Sequence, residues 1–204
     1  MSRLLLAFLL ICSSAFAEKP RGFLTINWGA SPEEAKRVMQ ARPGVKFPED
    51  ADDYKFDLTG GTFAGQPVLK WTLEFPERKF ASATVVIKSE DAQGLYKDFR
   101  ANLVSKYGSA TTSQKMKSGP KQYNAPRTAP GGSVTMWKFP PNLKDKSNLT
   151  IACEISGPNG QPTQDPAQMQ LVIRYTNETL TSAAATNVET PGKPAAVGVK
   201  KDDL

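Results

Sequence analysis

Two runs, Leu69-Lys70-Trp71-Thr72-Leu73-Glu74-Phe75 and Ala81-Ser82-Ala83-Thr84-Val85-Val86-Ile87, decide the fold class. In the first, apolar and polar residues alternate one by one, the signature of a strand with one buried and one wet face. The second is β-branched and similarly patterned. Pro76 to Lys79 is a short turn between them, so the two runs predict an antiparallel hairpin.

Outward from this hairpin the period changes to that of a helix. Downstream, Ala92, Leu95, Phe99, Leu103 and Tyr107 recur at three- and four-residue spacing, and Gly108 is a natural C-terminal stop. Upstream, Ser31-Pro32-Glu33-Glu34 reads as a capped helix start, with Ala35, Val38 and Met39 on one face and Pro43-Gly44 as the end. Tyr54 to Leu58 is a further strand candidate. The second half restates the order, with strands at 134–139, 149–155 and 169–175. The chain thus reads as α+β. Two consecutive helix–strand–strand–strand units, about 23–88 and 89–180, form a mainly antiparallel sheet with helices on one face. The other face carries Lys70, Thr72, Glu74, Thr150, Glu154, Gln170 and Arg174, read as a solvated surface.

The chain has 204 residues, 26 Lys+Arg against 20 Asp+Glu and a formal charge of +6, enough length for one domain with its own core. It contains no His, which excludes Ser-His-Asp and Cys-His nucleophilic systems and His-ligated metals. No dinucleotide fingerprint, phosphate loop or Cys cluster is present, so no cofactor and no metal are expected.

Residues 1–17 read as an export signal. Arg3 precedes the apolar run Leu4 to Ile11, and Ala15-Phe16-Ala17 presents small residues for cleavage before Glu18. The run is shorter than the ~20 residues a bilayer span needs. The expected location is periplasmic or secreted, and no transmembrane segment is expected in the processed chain. The alternative is a lipid anchor on Cys12, which Ile11 in front of it opposes. Cys153, left alone by cleavage, sits in an alternating strand and reads as a buried thiol. Residues 181–204, with no aromatic and much Ala, Thr, Pro and Gly, read as a disordered tail after a domain over 18–180.

The candidate binding residues cluster around one segment. Residues 111–132 hold Lys115, Lys117, Lys121 and Arg127, with Tyr123 among them and no acidic residue. Such a segment suits an anionic polymer or lipid surface; nothing in it specifies nucleic acid. Trp137 joins the set. In Val134-Thr135-Met136-Trp137-Lys138-Phe139 both faces carry large apolar groups, so the strand is either covered twice or exposes a sticky patch.

Other patterns carry less. Ser118-Gly119-Pro120-Lys121 has the spacing of a Ser-Lys nucleophile, but Gly and Pro oppose the helix that pair requires. Glu49 to Asp53 lacks the alternation of a calcium loop. Asn148-Leu149-Thr150 and Asn177-Glu178-Thr179 fit the glycosylation pattern, and Lys201 to Leu204 approximates a retrieval signal.

The run Asn27-Trp28-Gly29-Ala30-Ser31-Pro32-Glu33-Glu34-Ala35-Lys36 resembles the opening of small exported bacterial proteins of unknown function. Phe99, Leu103, Lys106-Tyr107-Gly108, Trp137 and Arg174-Tyr175 are similar to their second half. More distantly, the repeated order resembles the β-lactamase inhibitory protein architecture, and that likeness implies an open sheet face that grips a partner protein. The expectation is an exported, non-enzymatic binding or accessory protein of the cell envelope, whose partner is an envelope protein or an anionic polymer or lipid surface. The alternatives are a His-independent hydrolase and a purely structural envelope protein.

Overall fold

The computed structural model describes residues 19–49, 52–115, 133–158 and 165–186. Within them the protein is α+β. The helices are α1 (Pro32–Gln40), α2 (Ala92–Tyr107) and α3 (Glu178–Thr186). The strands are β1 (Gly22–Phe23), β2 (Ile26–Asn27), β3 (Val45–Lys46), β4 (Lys55–Gly60), β5 (Thr62–Phe63), β6 (Gln66–Pro67), β7 (Lys70–Glu74), β8 (Ser82–Lys88), β9 (Thr112–Lys115), β10 (Ser133–Phe139), β11 (Leu149–Ser156) and β12 (Gln170–Asn177). Among the described residues one sheet of eight strands runs β3-β4-β7-β8-β12-β11-β10-β9, with every neighbouring pair antiparallel.

The helices begin and end where side-chain chemistry tells them to. The Ser31 hydroxyl accepts the Glu34 N–H at 3.3 Å, satisfying an orphan donor of α1. Asp91 does the same for Gly94 at 2.8 Å in α2. At the far end of α2, Gly108 takes φ +76, a conformation that costs a residue with a Cβ.

The predicted hairpin is β7–β8, registered Trp71 against Val85 and Leu73 against Ala83. Its turn is tight: Glu77 and Arg78 both hold positive φ, at 52° and 58°. Arg78 reaches Glu33 at 2.6 Å and Asp53 at 2.7 Å, tying this turn to the start of α1 and to the acidic stretch.

Register across the sheet sorts every side chain. Trp71, Val85, Ile173, Cys153 and Thr135 lie directly opposite one another on successive strands, as do Leu73, Ala83, Tyr175, Ile151 and Trp137. Both rows are buried. Ala35 and Met39 of α1 and Tyr96, Phe99, Leu103 and Tyr107 of α2 join them in one apolar cluster. The polar atoms within it are paired. The Trp71 indole donates to the Gly60 carbonyl at 2.8 Å. Tyr96 and Thr135 share a hydroxyl–hydroxyl bond of 2.5 Å. Burial pushes the Cys153 thiol up to about 12, so it stays protonated and inert.

Two boundaries differ from the sequence reading. Residues 181–186, expected in a disordered tail, continue α3, because Asn177 accepts the Leu180 N–H at 3.2 Å and starts a helix there. The expected long loop after α2 begins instead with β9, whose four polar residues pair along β10. Residues 1–17, and the tail from 187 on, lie outside the described residues.

Candidate functional site

The sheet face opposite the apolar cluster carries the second set of rows. Asp57, Thr72, Thr84, Arg174, Ala152 and Met136 lie opposite one another across β4, β7, β8, β12, β11 and β10. Beside them run Lys70, Val86, Val172, Glu154 and Val134. This face holds an open groove of about 710 Å³, lined from Asp57 on one side to Glu154 and Ser156 on the other. Its volume is in the range of ligand sites.

The floor is apolar. Val86 and Val172 are directly opposed at its centre, and Val172 is buried. Leu69, 46% exposed, forms part of the wall. Val86 is only partly covered, and covering the rest of it would contribute ~0.8 kcal/mol per methylene buried.

The two polar sides of the groove differ. On the β4 side, Asp57 sits 3.1 Å from Lys55 and 3.2 Å from Lys70, and accepts the Thr72 hydroxyl at 2.8 Å. Partial burial works to raise its pKa, but the Thr72 bond and the two ammonium groups outweigh it, and the carboxyl ends below its ordinary value. Asp57 is therefore ionised and fully engaged. On the β12 side the groups are loosely engaged. Arg174 Nε donates to Thr84 at 3.3 Å, and its terminal nitrogen stands 3.9 Å from Glu154. Gln170 follows on the same strand face, and the Ser156 hydroxyl opposite it is buried without a hydrogen-bond partner among the described residues. A buried hydroxyl left so is uncommon and costly.

Two of the sequence-predicted residues, Lys115 and Trp137, are among the described residues, and neither lines the groove. Lys115 ends β9 at the edge of the sheet. Lys117, Lys121, Tyr123 and Arg127 lie outside the described residues, as does the Ser118–Lys121 pair. Trp137 is corrected: it is 1% exposed, and its indole donates to the Gly108 carbonyl at 2.9 Å. The face shared by Thr135 and Trp137 turns to α2, so Trp137 is a core residue and not a contact for a partner. Asn148 is bonded to Glu178 at 2.5 Å, and Asn177 is buried at the start of α3, so both glycosylation motifs have their amides in structural use or buried. Asp53 is held by Arg78, and no group of three potential metal ligands occurs among the described residues.

The groove residues Lys70, Thr72, Glu154, Gln170 and Arg174 were all legible as one polar face. What the alternation could not show was Val86 and Val172 meeting at its centre, because β8 and β12 are brought together from distant parts of the chain. No family model, no curated protein and no solved structure matches this chain.

Proposed function

We propose that this is an exported, non-enzymatic binding protein of the cell envelope, and that it holds its ligand in the groove on the open sheet face. The observation that carries the reading is the groove whose aliphatic floor, half-buried Val86 beside buried Val172, is ringed by charged and amide side chains. That is the anatomy of an interface, with an apolar centre and a polar rim. It also fits two helix–strand–strand–strand units, α1 with β4, β7 and β8 and α2 with β10, β11 and β12, whose last strands pair at the groove.

The groove chemistry favours binding over catalysis. Asp57 and Glu154 project from strands four positions apart, about 19 Å at the usual ~4.8 Å spacing. Paired carboxylates in glycoside hydrolysis stand about 5–9.5 Å apart. Asp57 is neutralised by two lysines. Tyr175, also pushed up by burial, faces the opposite side of the sheet with Cys153. Export rests on the residues 1–17 signal pattern, and no helix among the described residues is long and apolar enough to cross a membrane.

Retention of an envelope component tests the reading. The protein, its Val86→Lys variant and a Lys115→Gln, Lys117→Gln, Lys121→Gln, Arg127→Gln variant are each immobilised and offered envelope extract. Saturable retention is expected from the first and third and not from Val86→Lys, whose half-buried position lets the new ammonium reach solvent with the melting temperature kept. Retention that Val86→Lys keeps and the quadruple variant loses would transfer the function to the basic segment and an anionic surface. Retention by neither protein nor variants leaves the groove without a ligand and sinks the proposal.

A further inference from the structure

The groove, taken as the ligand site, also carries information about what it takes. Among the described residues its lining carries four charged side chains, two of each sign: Asp57, Lys70, Glu154 and Arg174. Two of them are spent on each other: Asp57 and Lys70 are 3.2 Å apart, with Thr72 and Lys55 closing the cluster. A strongly charged ligand would find no excess of opposite charge there.

What stays open is asymmetric and local. Val172 lies at the centre, with Gln170 and Arg174 two residues to either side on the same strand face and Glu154 directly opposite on β11. Arg174 makes one 3.3 Å bond through Nε and one 3.9 Å approach to Glu154, so most of its fork of donors is uncommitted. The groove ends on the Ser156 hydroxyl, which is buried and has no hydrogen-bond partner among the described residues. Donors and an acceptor therefore surround an aliphatic seat. An extended peptide offers the complement, with C=O and N–H groups alternating along its backbone on either side of each side chain.

We infer that the groove binds an uncharged extended segment of a partner polypeptide, seating one aliphatic side chain on Val86 and Val172 while its flanking peptide groups bond to Arg174, Gln170 and Glu154. A simple carboxylate would set its gain at Arg174 against repulsion by Glu154, and a simple cation its gain at Glu154 against repulsion by Arg174 and Lys70. A peptide unit, neutral with both a donor and an acceptor, meets neither penalty. Buried apolar anchors ringed by polar contacts are where binding energy concentrates. This inference rests on the groove being the ligand site.

The test is a titration of the intact chain, followed by backbone amide NMR, with four probes: N-acetyl-leucine N-methylamide, N-acetyl-aspartate N-methylamide, octanoate and octylammonium. Expected are saturable shifts at Val86, Gln170, Val172 and Arg174 with the leucine probe, and clearly weaker shifts with the other three. Arg174→Gln and Glu154→Gln should each weaken the leucine probe about tenfold, the cost of leaving a polar group unpaired. Val86→Lys should abolish its shifts. Melting temperatures of the variants establish that the fold is kept. Tighter binding of octanoate or octylammonium in the groove overturns the peptide assignment and leaves the groove as a ligand site. Equal binding of all probes, insensitive to Arg174 and Glu154, likewise reduces the site to a bare apolar patch. If no probe shifts the groove while Val86→Lys still abolishes retention from envelope extract, the peptide assignment alone falls. If both measurements fail, the binding function falls with it.

Discussion

Trp71 and Thr72 are neighbours in the chain and live in opposite worlds. Trp71 is fully buried, its indole bonded to Gly60 and its ring met edge-on by Phe23 and Phe63. Thr72 stands over an open groove and gives its hydroxyl to a carboxylate. The same contrast runs across the whole sheet. On the inner face the polar atoms of Trp71, Tyr96, Thr135 and Trp137 are partnered. On the outer face Arg174 is loosely held and Ser156 has no partner among the described residues. Satisfied, close-packed side chains specify a fold; groups left with bonding capacity around an apolar floor specify a partner. The two jobs are divided by the strand period of two, and each strand does both.

This division can be broken from the inside. Trp137→Ala removes a large core side chain and orphans the Gly108 carbonyl at the end of α2. Losses of this kind cost 3–5 kcal/mol. Urea unfolding should show a stability loss of about that size. A change within about 0.5 kcal/mol would mean that Trp137 is exposed after all. Next in size is Thr135→Val, which keeps the shape but strands the Tyr96 hydroxyl under α2. The expected loss is about 1–3 kcal/mol, read from the same unfolding curves.

The outer face should respond to acid. Asp57 is held below its ordinary value, so the folded state binds its proton less readily than the unfolded chain does. Its contribution is present above the ordinary value of 3.8 and is lost as pH falls through the folded value. Its side chain is 40% exposed, so solvent screening keeps the effect below about 1 kcal/mol. Asp57→Asn should therefore lower the melting temperature modestly at pH 6, and the difference should shrink as acid takes the pH down through the folded value. Asp145 acts with the same sign. Bonds from the Ser147 hydroxyl and N–H, and then Lys19 at 3.0 Å, bring it to about 2. An Asp57→Asn variant as stable as the parent at every pH would show that the lysine cluster contributes nothing. Smallest of all should be Thr84→Ala at the centre of the groove, within about 0.5 kcal/mol, measured by melting. A larger loss would make the groove wall part of the structural core.

How much of this could be read in advance depended on how local the cause was. The β7–β8 hairpin, the Ser31 cap and the Gly108 stop each follow from residues within a few positions of one another. β9 escaped notice because Thr112-Ser113-Gln114-Lys115 has no apolar alternation; β10 lying alongside makes it a strand. The start of α3 escaped because the composition of the tail hid the Asn177 cap. Trp137 could not be placed because both faces of its strand are apolar, and the choice belonged to Tyr96 and α2.

The groove residues were visible as polar alternation and invisible as a site. Alternation assigns a side chain to a face through the geometry of one strand, so the sequence alone determined that Lys70, Thr72, Glu154, Gln170 and Arg174 share the wet side. Which of them meet is a matter of strand order. β8 pairs with β12, setting Val86 against Val172 and Thr84 against Arg174, residues about ninety positions apart in the chain. Only the tertiary structure decided that. Strand pairing is carried by backbone hydrogen bonds common to every residue type, and its partner is chosen by the burial of the opposite face as a whole.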